Sequence, residues 1–154
     1  MTEQLIIQKA TDQDLPDLIR LYAQLHPDGP EMSLENSSRI LREFSCYSGS
    51  AIFIAKLGAA LASTCTLVVV PNLTRGGTPY ALIENVITDV EYRCRGFGRQ
   101  VLEHAIEAAW RHNCYKVMLL TGSKETATLR FYTNVGFEQS KVGFQIRRVP
   151  ARQS

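Results

Sequence analysis

Ala81-Leu82-Ile83-Glu84-Asn85-Val86-Ile87-Thr88, with Tyr92-Arg93-Cys94-Arg95-Gly96-Phe97-Gly98 shortly after it, is the stretch on which the reading of the chain turns. The first run is apolar and β-prone. Beyond the second, Val101, Leu102, Ala105, Ile106 and Ala109 recur at helical spacing. Residues 80–111 therefore read as strand, Arg/Gly turn, helix. Glycine lets a backbone approach a ligand closely and adopt dihedrals other residues resist. A helix start offers unpaired N–H groups and the positive end of a dipole. Together they make a phosphate cradle. A dinucleotide fingerprint needs a small residue three places after its second Gly, and Val101 stands there. A P-loop needs Gly-Lys-Ser/Thr, which is absent. What remains is Arg93-x-x-Gly96-x-Gly98, a weak signal when taken alone.

The flanking sequence supplies the frame. Residues 5–9 predict a first strand. Thr11 or Asp14 can cap the helix that follows, each with an acid three residues on, and Pro16 suits its first turn. Leu15, Leu18, Ile19, Tyr22 and Leu25 form one apolar face of that helix. His26-Pro27-Asp28-Gly29-Pro30 breaks the chain. Ser33 caps a second helix reaching about Phe44, with Leu34, Leu41 and Phe44 inward and Ile40 beside them. Strands follow at 51–55 and 59–70 around a Gly58 turn, then a loop at 71–79. After the central stretch, 114–120 predicts a buried strand. Residues 125–135 predict a helix with Gly136 as its left-handed cap. Phe137 and Phe144-Gln145-Ile146 predict two last strands. The expectation is a mixed α/β fold, one domain over 1–149, with 150–154 a frayed tail.

Composition narrows the function. A chain of 154 residues with 45% hydrophobic content is large enough for a substantial core. A formal charge of +2 makes no electrostatic case for nucleic acid or a membrane surface. Cys46, Cys65, Cys94 and Cys114 show no CxxC spacing, so neither a metal site nor a disulfide framework is suggested. The first residues carry no signal-peptide pattern, and no apolar run reaches membrane-spanning length, so a cytoplasmic protein is expected.

Four motifs stand in one order: the strand ending Val86-Ile87-Thr88, the Arg93–Gly98 turn, the run Lys116-Val117-Met118-Leu119-Leu120, and Phe131-Tyr132-Thr133-Asn134-Val135-Gly136-Phe137. In these the chain resembles the GNAT superfamily of acetyl-CoA-dependent N-acetyltransferases. Ile83-Glu84-Asn85-Val86, Tyr92-Arg93 and Cys114-Tyr115-Lys116 are similar to the glucosamine-6-phosphate N-acetyltransferases within it. Those carry Glu-Asp where this chain has Glu84-Asn85, and an Asn ahead of the helix Tyr where this chain has Glu125-Thr126-Ala127-Thr128.

The resemblance implies a twisted, mixed, mostly antiparallel sheet flanked by helices. It also implies acetyl-CoA as co-substrate, an amine acceptor, no metal, and a homodimer. The main chain of Val86, Ile87 and Thr88 would hold the pantetheine arm and the thioester. The amides of Cys94, Arg95, Gly96, Phe97, Gly98 and Arg99 would ring the pyrophosphate. Arg93 and Arg95 would add charge there or at the 3′-phosphate, a solvated role remaining equally open for each. Cys94 would serve through its backbone. Tyr132 would lie near the CoA sulfur and protonate the departing thiolate, since a phenol stays protonated at neutral pH.

Glu84 is the candidate base. Strand alternation places Glu84, Val86 and Thr88 on one face, and a structural carboxylate paired with an Arg or an amide is the competing reading. His26 and His104 read as solvated, and His112 as a complement to a helix dipole. The 72–77 loop with Arg75 would meet an anionic substrate or a second subunit. Two alternatives stand beside the general amine acetyltransferase: an amino-sugar-phosphate acceptor, and a CoA-binding module without catalysis.

Overall fold

A computed structural model describes residues 2–150, and the chain divides after Leu119 into two compact units. The first unit holds β1 (Leu5–Lys9), α1 (Leu15–Leu25), α2 (Leu34–Ser45), β2 (Ala51–Leu57), β3 (Ala60–Val70), β4 (Tyr80–Thr88), α3 (Phe97–Arg111) and β5 (Val117–Leu119). The second holds α4 (Thr126–Val135). The strands form one sheet in the order β1-β2-β3-β4-β5. Every pairing is antiparallel except β4 with β5, which α3 connects as a crossover.

β3 is the middle of this sheet, and its residues 61–67 are all buried. It is covered on both faces, and its buried Ser63 and Thr64 hydroxyls are bonded, Thr64 Oγ1 donating to the Phe53 carbonyl at 2.7 Å. On one face Ile54, Leu61 and Ile87 pack with Leu15, Leu18 and Leu21 of α1. On the other, Cys65 Sγ reaches the Val101 carbonyl of α3 at 3.7 Å. Each fully buried Leu contributes about 1.5–3 kcal/mol relative to exposure.

α1 begins as expected: the Thr11 N–H and Oγ1 both bond Asp14 Oδ2, at 2.8 and 3.0 Å, ahead of Pro16. Its inward stripe differs from the predicted one. Leu21 is fully buried while Ile19 is half-buried. Ser33 Oγ accepts from the Asn36 N–H at 3.1 Å and caps α2. That helix turns Ser37, Leu41 and Phe44 inward, a stripe of i, i+4, i+7, which leaves Leu34 and Ile40 exposed, against expectation.

The C-terminal third departs furthest. β5 is three residues long, shorter than the predicted 114–120. Residues 137–149 form no strand. Val142, Phe144 and Ile146 are 83, 91 and 100% exposed. Among the described residues no main-chain hydrogen bond ties 138–149 to a neighbour. An alternating pattern becomes a strand only when a neighbouring edge and a covering face meet it, and this segment has neither. Most of the predicted tail, residues 151–154, lies outside the described residues.

Candidate active site

The site begins as an irregularity in β4. Against β3, Thr66 pairs with Glu84 and Thr64 with Ile87, so three steps on β4 oppose two on β3. The extra residue is a β-bulge, and Asn85 sits in it with φ 51. A left-handed backbone is hard for most side chains but tolerated by Asn and Asp.

The bulge corrects the alternation argument. Thr64 and Thr66 lie two apart on β3, so their partners Ile87 and Glu84 share a face. Thr88 pairs with Ser63 and belongs to the other face, where its Oγ1 meets Ser63 Oγ at 2.9 Å. Glu84 is exposed and forms no ion pair among the described residues. The paired structural carboxylate is therefore not what the structure contains. Across from it Thr66 is buried beside Tyr22, whose pKa is raised by burial, against hydrogen bonds to Thr66 and Thr64.

β4 is also open on its far side. Its parallel pairing with β5 covers only Ala81, Leu82 and Ile83. From Glu84 onward no strand of the first unit pairs with that edge, while the Ile87 carbonyl accepts from Ser63 Oγ at 3.2 Å and the Thr88 carbonyl from Arg93 Nε. Ile87 is buried, and Val86 and Thr88 are half-buried.

The turn after β4 is built for an anion. Cys94 and Gly96 both have positive φ, 61 and 80, and Gly96 is the N-cap of α3. Among the described residues nothing accepts from the N–H groups of 94–99. These amides gather with Phe97 and Gly98 at the positive end of a fifteen-residue helix. Arg93 Nε bonds the Thr88 carbonyl at 3.1 Å, Arg95 lies over the Phe97 ring at 4.9 Å, and Arg99 pairs with Glu103 at 2.7 Å. Cys94 is exposed and unbonded to another cysteine.

Tyr132 stands on α4 in the second unit, between Phe131 at 5.1 Å and Phe137 at 6.2 Å between ring centroids. Gly136 closes α4 with φ 119, the predicted left-handed cap. His104, read as solvated, packs its ring edge-on against Phe53 at 4.9 Å, and burial, with Arg111 nearby, lowers its pKa. His112 caps the C-terminal end of α3. There a cavity of about 420 Å³ is lined by His112, Val69, Asn72, Leu73 and Pro79. It lies at the opposite end of α3 from Gly96.

Asp89 carried no sequence signal that singled it out: it is buried and bonded to Arg20 of α1 at 3.2 Å. Arg75, noted in the 72–77 loop, and Lys116 flank the Tyr115 ring at 5.5 and 5.3 Å, and Arg75 itself has φ 55.

The chain matches the Acetyltransferase (GNAT) family over residues 15–137 and belongs to that family. It is 31% identical over 86 residues to a glucosamine 6-phosphate N-acetyltransferase of Trypanosoma brucei brucei, covering 56% of each protein. The chain spans about half the length of the curated relatives it matches. A solved protein from Agrobacterium tumefaciens str. C58, named only as a candidate acetyltransferase, aligns with TM-score 0.88 and 45% identity over 93% of this chain and 99% of its own. The glucosamine-6-phosphate N-acetyltransferase of Arabidopsis thaliana shares the fold, with TM-score 0.86 and 21% identity over 96% of this chain and 100% of its own.

Proposed function

We propose that this chain is an acetyl-CoA-dependent N-acetyltransferase that acts on a primary amine by direct attack in a ternary complex. The observation that carries the reading is the continuity of the β4 bulge, its unpaired edge and the unpartnered amides of 94–99. Val86, Ile87 and Thr88 would hold the pantetheine arm, and the 94–99 amides with Arg93 and Arg95 the phosphates. Acetyl-CoA supplies the activated thioester. An N–H on the open run of β4 meets the charge that develops on the carbonyl oxygen. Exposed Glu84 takes the amine proton, directly or through water. The Tyr132 hydroxyl gives its proton to the departing thiolate, a role that rests on the aromatic-Tyr-x-x-x-Gly-Phe resemblance. No helix of the described residues is long and apolar enough to cross a membrane, and a cytoplasmic location is part of the proposal.

An amino-sugar-phosphate acceptor is the second reading. Arg75 and Lys116 converge on Tyr115 without a carboxylate partner among the described residues, a pair suited to a phosphate. A homodimer belongs to the same proposal, supported by the exposed alternation Val142, Phe144, Ile146.

Calorimetry with acetyl-CoA and an acetylation panel including glucosamine and its 6-phosphate test this reading together. Binding plus turnover supports the enzyme, and binding with no turnover across the panel supports the non-catalytic module. Failure of folded protein to bind acetyl-CoA overturns both. Tyr132→Phe is expected to keep acetyl-CoA affinity and lose about 10²-fold in kcat, and wild-type turnover in that variant would remove the acid role.

A further inference from the structure

The turn between β4 and α3 does not hold itself together. Its first three N–H groups are all committed. Val90 N–H donates to Gln24 Oε1 at 3.0 Å, Glu91 N–H to Asp89 Oδ1 at 3.0 Å, and Tyr92 N–H to the Asp89 carbonyl at 2.8 Å. The next ones, at 94–99, have no acceptor among the described residues. The boundary between committed and available amides falls where the cradle begins.

Two of those three bonds depend on α1. Arg20 and Gln24 are four residues apart and share a helix face. Arg20 Nη1 donates to Asp89 Oδ2 at 3.2 Å, and Gln24 Oε1 accepts from the Val90 N–H of the next residue. Asp89 is 4% exposed, and its own N–H donates to the Ala62 carbonyl of β3 at 2.8 Å. A buried carboxylate that satisfies one amide and receives Arg20 fixes its position far better than a loop residue facing water.

We propose that Asp89, gripped by Arg20 while Gln24 holds the adjoining Val90 amide, is a positioning residue for the donor turn: α1 sets where the amides of 94–99 point, and through them the affinity for the diphosphate of an acyl-CoA. The proposal rests on the acetyl-CoA reading above. The clamp touches no ligand itself. It acts on the diphosphate end alone, because the pantetheine would meet β4 ahead of Asp89.

Asp89→Asn removes the charge that Arg20 holds, and Gln24→Leu, a milder change, removes the acceptor of the Val90 N–H. Both variants are compared with wild type in three measurements: acetyl-CoA affinity by calorimetry, turnover with S-acetylpantetheine (a thioester with no phosphate), and ¹⁵N order parameters of the 94–99 amides. The expected result is acetyl-CoA affinity weakened about tenfold to a hundredfold, the scale of lost positioning. Acetylpantetheine turnover should stay within about twofold, and the order parameters should drop from about 0.85 towards about 0.6. Unchanged acetyl-CoA affinity in folded variants with a lowered Tm would mean the clamp only stabilises the fold, overturning the proposal. Equal losses with both thioesters would overturn it as well. If wild type binds no acetyl-CoA, the functional reading falls, and unaltered order parameters at 94–99 would then remove the positioning role independently.

Discussion

Asp14 and Asp89 are the carboxylates this fold buries, and both stay ionised at a net favourable balance. For Asp89 the bond from the Glu91 amide leads, burial opposes it, and Arg20 and Gln24 add to the lowering of its pKa. For Asp14 burial is the largest influence and raises the pKa. It is outweighed by the Thr11 amide, the Lys56 hydrogen bond and charge, and the Thr11 hydroxyl. Folded values below the ordinary 3.8 mean that the native state is favoured above that pH. The contribution is lost as pH falls through the folded value. Urea midpoints should therefore stay flat from neutrality to about pH 5 and drop below about pH 4. Asn at either position should shallow that acid limb, and an unchanged limb in both variants would contradict the assignment. Glu84 and Tyr132 were legible at this scale because each sits inside a motif. Asp89 was not, since its partner Arg20 is 69 residues away and neither residue stands out in its own neighbourhood.

At the scale of the element, β4 shows what a pattern contains and what it omits. The apolar run and the Arg/Gly turn predicted strand, cradle and helix at nearly their observed bounds. Alternation alone missed the bulge and so misassigned the face of Thr88. The available signal was a single Asn within a β-prone run, a residue suited to φ 51. Asn85→Val should cost about 1–2 kcal/mol in urea unfolding, because a β-branched side chain resists a left-handed backbone. Its activity should fall further than its stability, since the open edge is re-registered. A stable Asn85→Val variant with full activity would show that the bulge is dispensable. The last predicted strands fail for a complementary reason. Val142, Phe144 and Ile146 alternate in sequence, yet a ladder belongs to two segments, and only one of them was being read.

For the molecule as a whole, the division of the core follows from β3 being buried on both faces, and the strand itself was legible over residues 59–70. The inward stripe of α1 was harder, because Ile19 and Leu21 both border it and only packing against Ile54, Leu61 and Ile87 selects Leu21. Leu21→Ala should cost about 2–5 kcal/mol in chemical denaturation, with no direct effect on acetyl-CoA contacts. A loss under about 1 kcal/mol would mean that the site collapses around the cavity. One consequence of the cradle reaches beyond this chain. The atoms proposed to ligate the diphosphate at 94–99 are peptide nitrogens, identical whatever side chain each residue carries. Sequence drift can rewrite that loop while its chemistry stays intact, so alanine scanning there would return a nearly silent map. Amide-to-ester replacement, which deletes one N–H at a time, is the perturbation to which such a loop responds. An inhibitor that mimics the diphosphate would meet the same immunity to change, and it would find little in this loop by which to tell one relative from another.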